Sequence, residues 1–338
     1  MKAAVFKEVG KPMVVEEVAD PSADADQLVV KTAYCGICGT DLHSTREGAA
    51  TVACDSILGH EFVGEVVEVG KSLQKDWHEG DRVCSLPFLS CGKCVACVTG
   101  RPFECAGLQC TGLDVPGGFA QYVKTGALET IKLPDQLDME RAALIEPLAV
   151  GLHAVRIAGM KAGQRVLITG GGPVGLAVAL WARFLGARDV VVSEFAAKRC
   201  ELATALGATA VINPAEDLAE QFRDASGGDP DMIFECVGAP GLIQQAVEMA
   251  PRHCKIVGVG VCEQPDTFMP FLALVKELQM QFAIAYTRDD FETVIAMLAQ
   301  GRIDASPMVT DIIDLDDMPD AFEALRNPSH QCKVLTRF

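Results

Sequence analysis

From Arg165 onward the chain alternates between short apolar runs and longer stretches of helical periodicity: 165–169 then 173–185, 189–193 then 196–206, 210–212 then 215–225, 232–235 then 241–249, and 255–259 then 270–276, with a last apolar run at 279–285. This pattern leaves little choice of fold. Short β-branched runs separated by helical crossovers predict a parallel sheet covered by helices on both faces. Residues 1 to about 147 read differently, as short strands at 2–6, 13–18, 28–33, 62–69, 82–86 and 120–123 punctuated by Gly and Pro, with helical pattern only at 139–145. The tail, 288–338, breaks the alternation with a helix at 289–300, a strand near Ile312, a helix at 319–326 and a strand at 331–336. At 338 residues two domains are expected.

The first strand of the alternating region runs straight into Gly170-Gly171-Gly172-Pro173-Val174-Gly175, a G-x-G-x-x-G loop that opens an apolar helix. Strand before and helix after are the context that gives this motif meaning. Gly170 permits the tight turn, Gly172 lets the backbone approach a pyrophosphate, and Gly175 lets helix and strand pack closely. The helix N-terminus adds free N–H groups and partial positive charge, with Pro173 and Val174 in its first turn. Glu194 ends the second strand 19 residues after Gly175, where a carboxylate accepts hydrogen bonds from ribose hydroxyls and repels a 2′-phosphate. The reading is therefore NAD over NADP; Lys198 and Arg199 follow closely and weaken that preference, and Arg199 joins the cofactor-contact candidates. Cys236-Val237 after the fourth strand and Val259-Gly260 after the fifth are further cofactor contacts.

The net charge of −17 argues against a nucleic-acid backbone or an anionic membrane as partner, though not against a small anionic ligand. The uncharged run 166–182 carries four glycines and Pro173, which suits a buried strand, turn and helix better than a membrane span. Fourteen cysteines in a long chain whose N-terminus lacks a signal-peptide pattern point to a reduced, cytoplasmic protein rather than a disulfide scaffold. Four of them, Cys91, Cys94, Cys97 and Cys105, match a closed tetrahedral Zn²⁺ site of structural type. A second, dispersed set begins with Cys38-Gly39-Thr40-Asp41-Leu42-His43 and continues with Gly59-His60-Glu61; Cys38 and His60 are typical of a zinc site with an open position. Cys35 lies three residues before Cys38, but Gly36 and Gly39 suggest an irregular loop with no following helix. Cys35 is therefore read as a packing residue and not half of a redox pair. The nine cysteines outside the two zinc sets are expected to be reduced and mainly buried.

These segments, with Gly64-Glu-Val-Val-Glu-Val-Gly70, Gly80-Asp81-Arg82-Val83 and Glu146-Pro147-Leu148-Ala149-Val150-Gly151-Leu152-His153-Ala154, give the chain a resemblance over its whole length. It resembles the zinc-dependent medium-chain alcohol/polyol dehydrogenases. The resemblance implies an α/β protein with a GroES-like β-barrel catalytic domain, residues 1–147 and 288–338, and a doubly wound Rossmann domain, residues 148–287. It implies two zinc ions per chain and NAD. Cys38, His60, Glu61 and Glu146 become the catalytic zinc candidates, either glutamate serving as ligand, and Asp41 would orient His60. The implied reaction moves a hydride between a secondary or primary alcohol and NAD⁺, giving a ketone or aldehyde and NADH, with zinc lowering the alcohol's pKa. Thr40 and His43 would relay the proton, His43 titrating near neutral pH.

Substrate is less legible. The polyol branch commonly carries an Arg-Tyr pair after the last parallel strand, whereas this chain has Ala285-Tyr286. Ile37, Leu42, Leu113, Phe119 and Tyr286 are candidates for an apolar pocket, which favours a cyclic or medium-sized secondary alcohol over a charged sugar. The apolar edge at 278–286 calls for cover, so a homodimer or homotetramer is expected. Two competing functions are a reductase of C=C or C=N bonds on the same fold, and a non-catalytic NAD- and zinc-binding protein.

Overall fold

The computed structural model describes residues 1–46, 52–328 and 330–338. They fall into two compact units. The first comprises Met1–Glu146, Thr287–Arg302 and Val309–Phe338, and the second Pro147–Tyr286 with Ile303–Met308.

The second unit is built on a six-stranded sheet in the order Ala210–Ile212, Asp189–Ser193, Arg165–Thr169, Met232–Glu235, Lys255–Gly258, Gln279–Phe282. Every pairing is parallel. The strands are apolar because both faces are covered; Val166, Leu167, Ile168, Val190, Val191 and Val192 are fully buried. Helices Pro173–Phe184, Ala197–Ala205, Leu218–Ser226, Leu242–Met249 and Pro270–Val275 make the crossovers. The strand order reverses beside Arg165–Thr169, and in such sheets the crevice at the carboxyl ends of the strands at this point is where ligands bind.

The first unit is mainly antiparallel. Its larger sheet runs Thr130–Lys132, Arg82–Ser85, Glu61–Val69, Gln27–Gly36, Lys333–Arg337, Val309–Asp314, with Tyr122–Gly126 also paired to Gln27–Gly36. A smaller sheet joins Val14–Glu17, Lys2–Phe6 and Ser56–Ile57. The tail therefore returns into the N-terminal sheet, since Lys333–Arg337 pairs antiparallel with Gln27–Gly36. At Gly64 the long strands approach so closely that a Cβ would lie 2.0 Å from the Lys31 carbonyl oxygen.

Three expectations change. A six-residue helix, Gly39–Ser44, follows Cys38 where an irregular loop without helix was expected. Glycine and threonine are weak helix formers, but the Asp41 carboxylate caps the turn by accepting the Cys38 N–H at 2.9 Å. Ile37, Leu42 and Phe119, offered as pocket candidates, belong to the core of the first unit. The Phe119 ring lies where a side chain on Gly59 would be, a Cβ there falling 2.5 Å from the ring. Finally, of the cysteines outside the zinc sets, Cys54 and Cys262 are exposed and Cys110, Cys200 and Cys236 half-buried. No helix among the described residues is long and apolar enough to cross a membrane.

Trp181 is fully buried and its indole N–H donates to the Leu148 carbonyl at 2.8 Å. Trp181→Phe is expected to lower stability by about 1–3 kcal/mol. The change should appear as a lower denaturant midpoint at unchanged slope.

Candidate functional site

In the first unit, Cys38, His60 and Glu61 come from separate elements. Cys38 precedes the short helix, and Glu61 begins the strand Glu61–Val69 with His60 just before it. Their ligand atoms all lie within 4.8 Å of one another. Asp41, fully buried, ties the two segments together. Its Oδ2 accepts the Cys38 N–H at 2.9 Å, its Oδ1 accepts the Gly59 N–H at 3.3 Å, and Oδ1 also stands 3.3 Å from His60 Nδ1. That last contact is off the line of a hydrogen bond, and His60 Nδ1 is a buried nitrogen with no hydrogen-bond partner among the described residues. Burial by itself would push the His60 imidazole down; the charges of Asp41 and Cys38 outweigh it and hold its pKa well above the usual value. A spot with that field favours a cation. A soft thiolate, an imidazole and a carboxylate around it are a donor set that zinc accepts.

Glu61 is not free to turn. Lys333, itself 1% exposed, donates to both of its carboxylate oxygens at 2.6 and 2.7 Å and to the Ile37 carbonyl at 3.2 Å. Gly36 makes room for this: a Cβ there would lie 2.1 Å from Glu61 Oε2. Burial would lower the Lys333 pKa, but Glu61, Cys38 and Glu146 together raise it. Glu146, in the first turn of the helix Ile145–Ala158, thus belongs to the same electrostatic neighbourhood, though it is not one of the three convergent donors. Lys333 was not singled out from sequence, because its pairing with Glu61 spans 272 residues and no local pattern announces it. Thr40 and His43 are half-buried and three residues apart on the short helix, hence on one face of it.

Cys91, Cys94, Cys97 and Cys105 also converge within 4.8 Å. The Cys94 and Cys97 sulfurs are 3.4 Å apart and those of Cys91 and Cys97 3.9 Å. Tetrahedral coordination at about 2.3 Å per Zn–S bond places sulfurs about 3.8 Å apart. The backbone N–H groups of Lys93 and Cys94 pull the Cys91 thiol down to about 6, so this site holds thiolate near neutral pH. Cys35, by contrast, is buried in the strand Gln27–Gly36, where burial pushes its thiol well up.

In the second unit, Gly170 turns with φ +93°, and a Cβ on Gly175 would strike the Gly170 oxygen at 1.9 Å. Gly172 caps the helix Pro173–Phe184 and faces open space, with nothing within 4 Å of where its Cβ would stand. Such an open backbone cradle at a helix start fits a pyrophosphate. Glu194 is buried, its Oε2 accepting the Gly171 N–H at 3.0 Å and its Oε1 those of Phe195 and Ala196 at 2.8 and 2.9 Å. With Phe195, Cys200, Val211, Ile212 and Asn213 it lines a cavity of about 380 Å³. Arg199, half-buried on the neighbouring helix, does not line this cavity. Cys236-Val237 and Val259-Gly260 follow the ends of adjacent strands, and their turns touch: a Cβ on Gly260 would lie 2.2 Å from the Gly238 nitrogen.

Residues 24–135 match the family model described as alcohol dehydrogenase GroES-like domain, and 173–300 the one described as zinc-binding dehydrogenase. The chain is 33% identical to the (R,R)-butanediol dehydrogenase of Bacillus subtilis strain 168, over 100% of this chain and 99% of that protein. It is 34% identical to the sorbitol dehydrogenase of the same strain, over 98% and 95%. The crystal structure of a putative zinc-binding dehydrogenase from Sinorhizobium meliloti 1021, bound to NADP, superposes with a TM-score of 0.91 at 34% identity, covering 100% of this chain and 99% of that one.

Removing Lys333 leaves Glu61 as a buried charge without its cation. Lys333→Met is expected to lower stability by about 3–5 kcal/mol, and Lys333→Arg to restore part of it. Thermal melts of the two variants beside the unaltered chain check this; a Lys333→Met protein that melts like its parent would contradict the assignment.

Proposed function

The chain belongs to the zinc-dependent medium-chain alcohol and polyol dehydrogenases, and from that premise we propose that it oxidises a secondary or primary alcohol with NAD⁺ to a ketone or aldehyde and NADH. It is an oxidoreductase that uses zinc and a nicotinamide dinucleotide. The observation that carries the finer reading is the convergence of Cys38, His60 and Glu61, with Asp41 binding the two segments together. We assign the catalytic domain to residues 1–147 and 288–338 and the coenzyme domain to 148–287. Two zinc ions per chain are proposed, one in the four-cysteine lobe and one held by Cys38, His60 and either Glu61 or Glu146.

Bound zinc supplies Lewis acidity that lowers the pKa of a hydroxyl, and the nicotinamide supplies the hydride acceptor. The chain's own residues do the rest. Asp41 sets its charge against the His60 ring, and Lys333 fixes the Glu61 carboxylate. As the Thr40 hydroxyl takes the substrate proton it would give up its own toward His43, one turn on, which releases it outward. The buried Glu194 at the adenosine end supports NAD over NADP, because a carboxylate there repels a 2′-phosphate. Lys198 and Arg199 sit on the next helix, so the preference is a matter for paired KM values with the two cofactors.

A medium-sized or cyclic secondary alcohol is the substrate class we favour. The edge strand Gln279–Phe282 pairs on one side only among the described residues, and Phe282 and Ile284 are both 69% exposed. That supports a homodimer or homotetramer, which sedimentation would resolve. Reduced thiols in the zinc lobe support a cytoplasmic setting.

Metal analysis is expected to find about two zinc ions per chain. A panel of linear, branched, cyclic and polyol substrates, 2,3-butanediol and sorbitol among them, should produce NADH absorbance with secondary alcohols. Activity with enones alone would instead mark a C=C reductase, and tight NAD binding with no turnover on any alcohol a non-catalytic protein. Thr40→Ala should lose about 10²-fold or more in kcat while NAD affinity holds; unchanged turnover would remove Thr40 from the proton path.

A further inference from the structure

Glu235 is a buried carboxylate, 3% exposed, that the hydride-transfer chemistry does not call on. It ends the strand Met232–Glu235 in the middle of the parallel sheet. One carboxylate oxygen, Oε1, accepts the N–H groups of both Val237 and Gly238, at 2.7 and 2.9 Å. Its main-chain carbonyl accepts those of Val259 and Gly260, each at 2.8 Å. A single residue therefore holds the turns after two adjacent strands. The turns interlock backbone to backbone: a Cβ on Gly238, at φ +74°, would fall 2.4 Å from the Val261 oxygen. On the other side Val237 packs on the first glycine of the phosphate loop, its Cγ2 standing 2.7 Å from where a Gly170 Cβ would be.

The charge is the informative part. Glu235 is answered by amide dipoles and not by a cationic side chain among the described residues. Two N–H dipoles point at the one carboxylate oxygen. Its field is felt next door, where burial first and then the charge of Glu235 push the Cys236 thiol well up. The two redox states of a nicotinamide differ by one positive charge on the ring, which only the oxidised form carries. A fixed negative charge under the loops that receive the dinucleotide interacts with that difference, and little water screens it. We propose that the Glu235 carboxylate biases the coenzyme unit toward the oxidised, cationic nicotinamide, beyond its part in bracing the loops. This rests on the reading of the second unit as the dinucleotide site.

Because both amides bond to the same oxygen, Glu235→Gln can keep both hydrogen bonds and remove only the charge. The test uses the zinc-loaded full chain, with NADH binding followed by its fluorescence and NAD⁺ by competition. Glu235→Gln should raise the ratio Kd(NAD⁺)/Kd(NADH) by about tenfold while its thermal midpoint stays close to the parent's. Glu235→Ala should raise the ratio likewise, but with a lower midpoint and weaker binding of both nucleotides. Glu235→Asp, which keeps the charge, should leave the ratio as it was. A brace without electrostatic influence would weaken both nucleotides equally; a ratio unchanged in the Gln and Ala variants overturns the inference and leaves the cofactor assignment standing. Failure of the unaltered chain to bind either nucleotide would instead overturn that assignment.

Discussion

The ion pair between Lys333 and Glu61 is the contact on which the first unit's site depends. Both side chains are 1% exposed, so neither is satisfied by water. A carboxylate buried beside His60 needs a positive charge at a fixed place, and the strand Lys333–Arg337 delivers it. That strand is held by the Ile37 N–H bonding to the Val334 carbonyl at 3.0 Å and by its pairing with Gln27–Gly36. The absence of a Cβ on Gly36 is the other half of the fit. Desolvation of two ions is expensive, and it is offset here by three hydrogen bonds from the one ammonium, two to Glu61 and one to the Ile37 carbonyl.

Buried carboxylates recur elsewhere as partners of backbone amides. Asp41, Glu194 and Glu235 are buried carboxylates that accept backbone N–H groups from irregular turns. The segments that carry these carboxylates' partners leave the regular ladders of strand and helix. A turn taken out of water must still satisfy its amides. A carboxylate with several lone pairs answers two or three of them at once, and it makes the turn rigid in one conformation.

Much of the parallel sheet was legible in the sequence, because strands buried on both faces must be apolar and crossovers must be helical. The four-cysteine lobe was legible because all its donors lie within fifteen residues. The short helix after Cys38 was not, since its stability comes from the Asp41 cap and its packing, not from Gly39 and Thr40. Ile37, Leu42 and Phe119 carried the right polarity for a pocket, but polarity does not say which apolar surface a side chain meets. Lys333 and Glu235 were beyond local reading for a different reason. Their roles are set by what they touch, and a charged residue in an apolar strand reads alike whether it is buried or marks an edge.

The acidic excess takes on a second meaning once burial is known. Seven buried residues among those described are Asp or Glu, against one buried lysine and one histidine. Surface acids are screened by water and salt, but buried ones keep their field. Around His60 the carboxylates of Asp41 and Glu61 are buried, and Lys333 answers Glu61. In the second unit Glu194 and Glu235 are buried carboxylates held by backbone N–H groups. Both units thus bury carboxylates close to the places where the proposed chemistry would bring a cation.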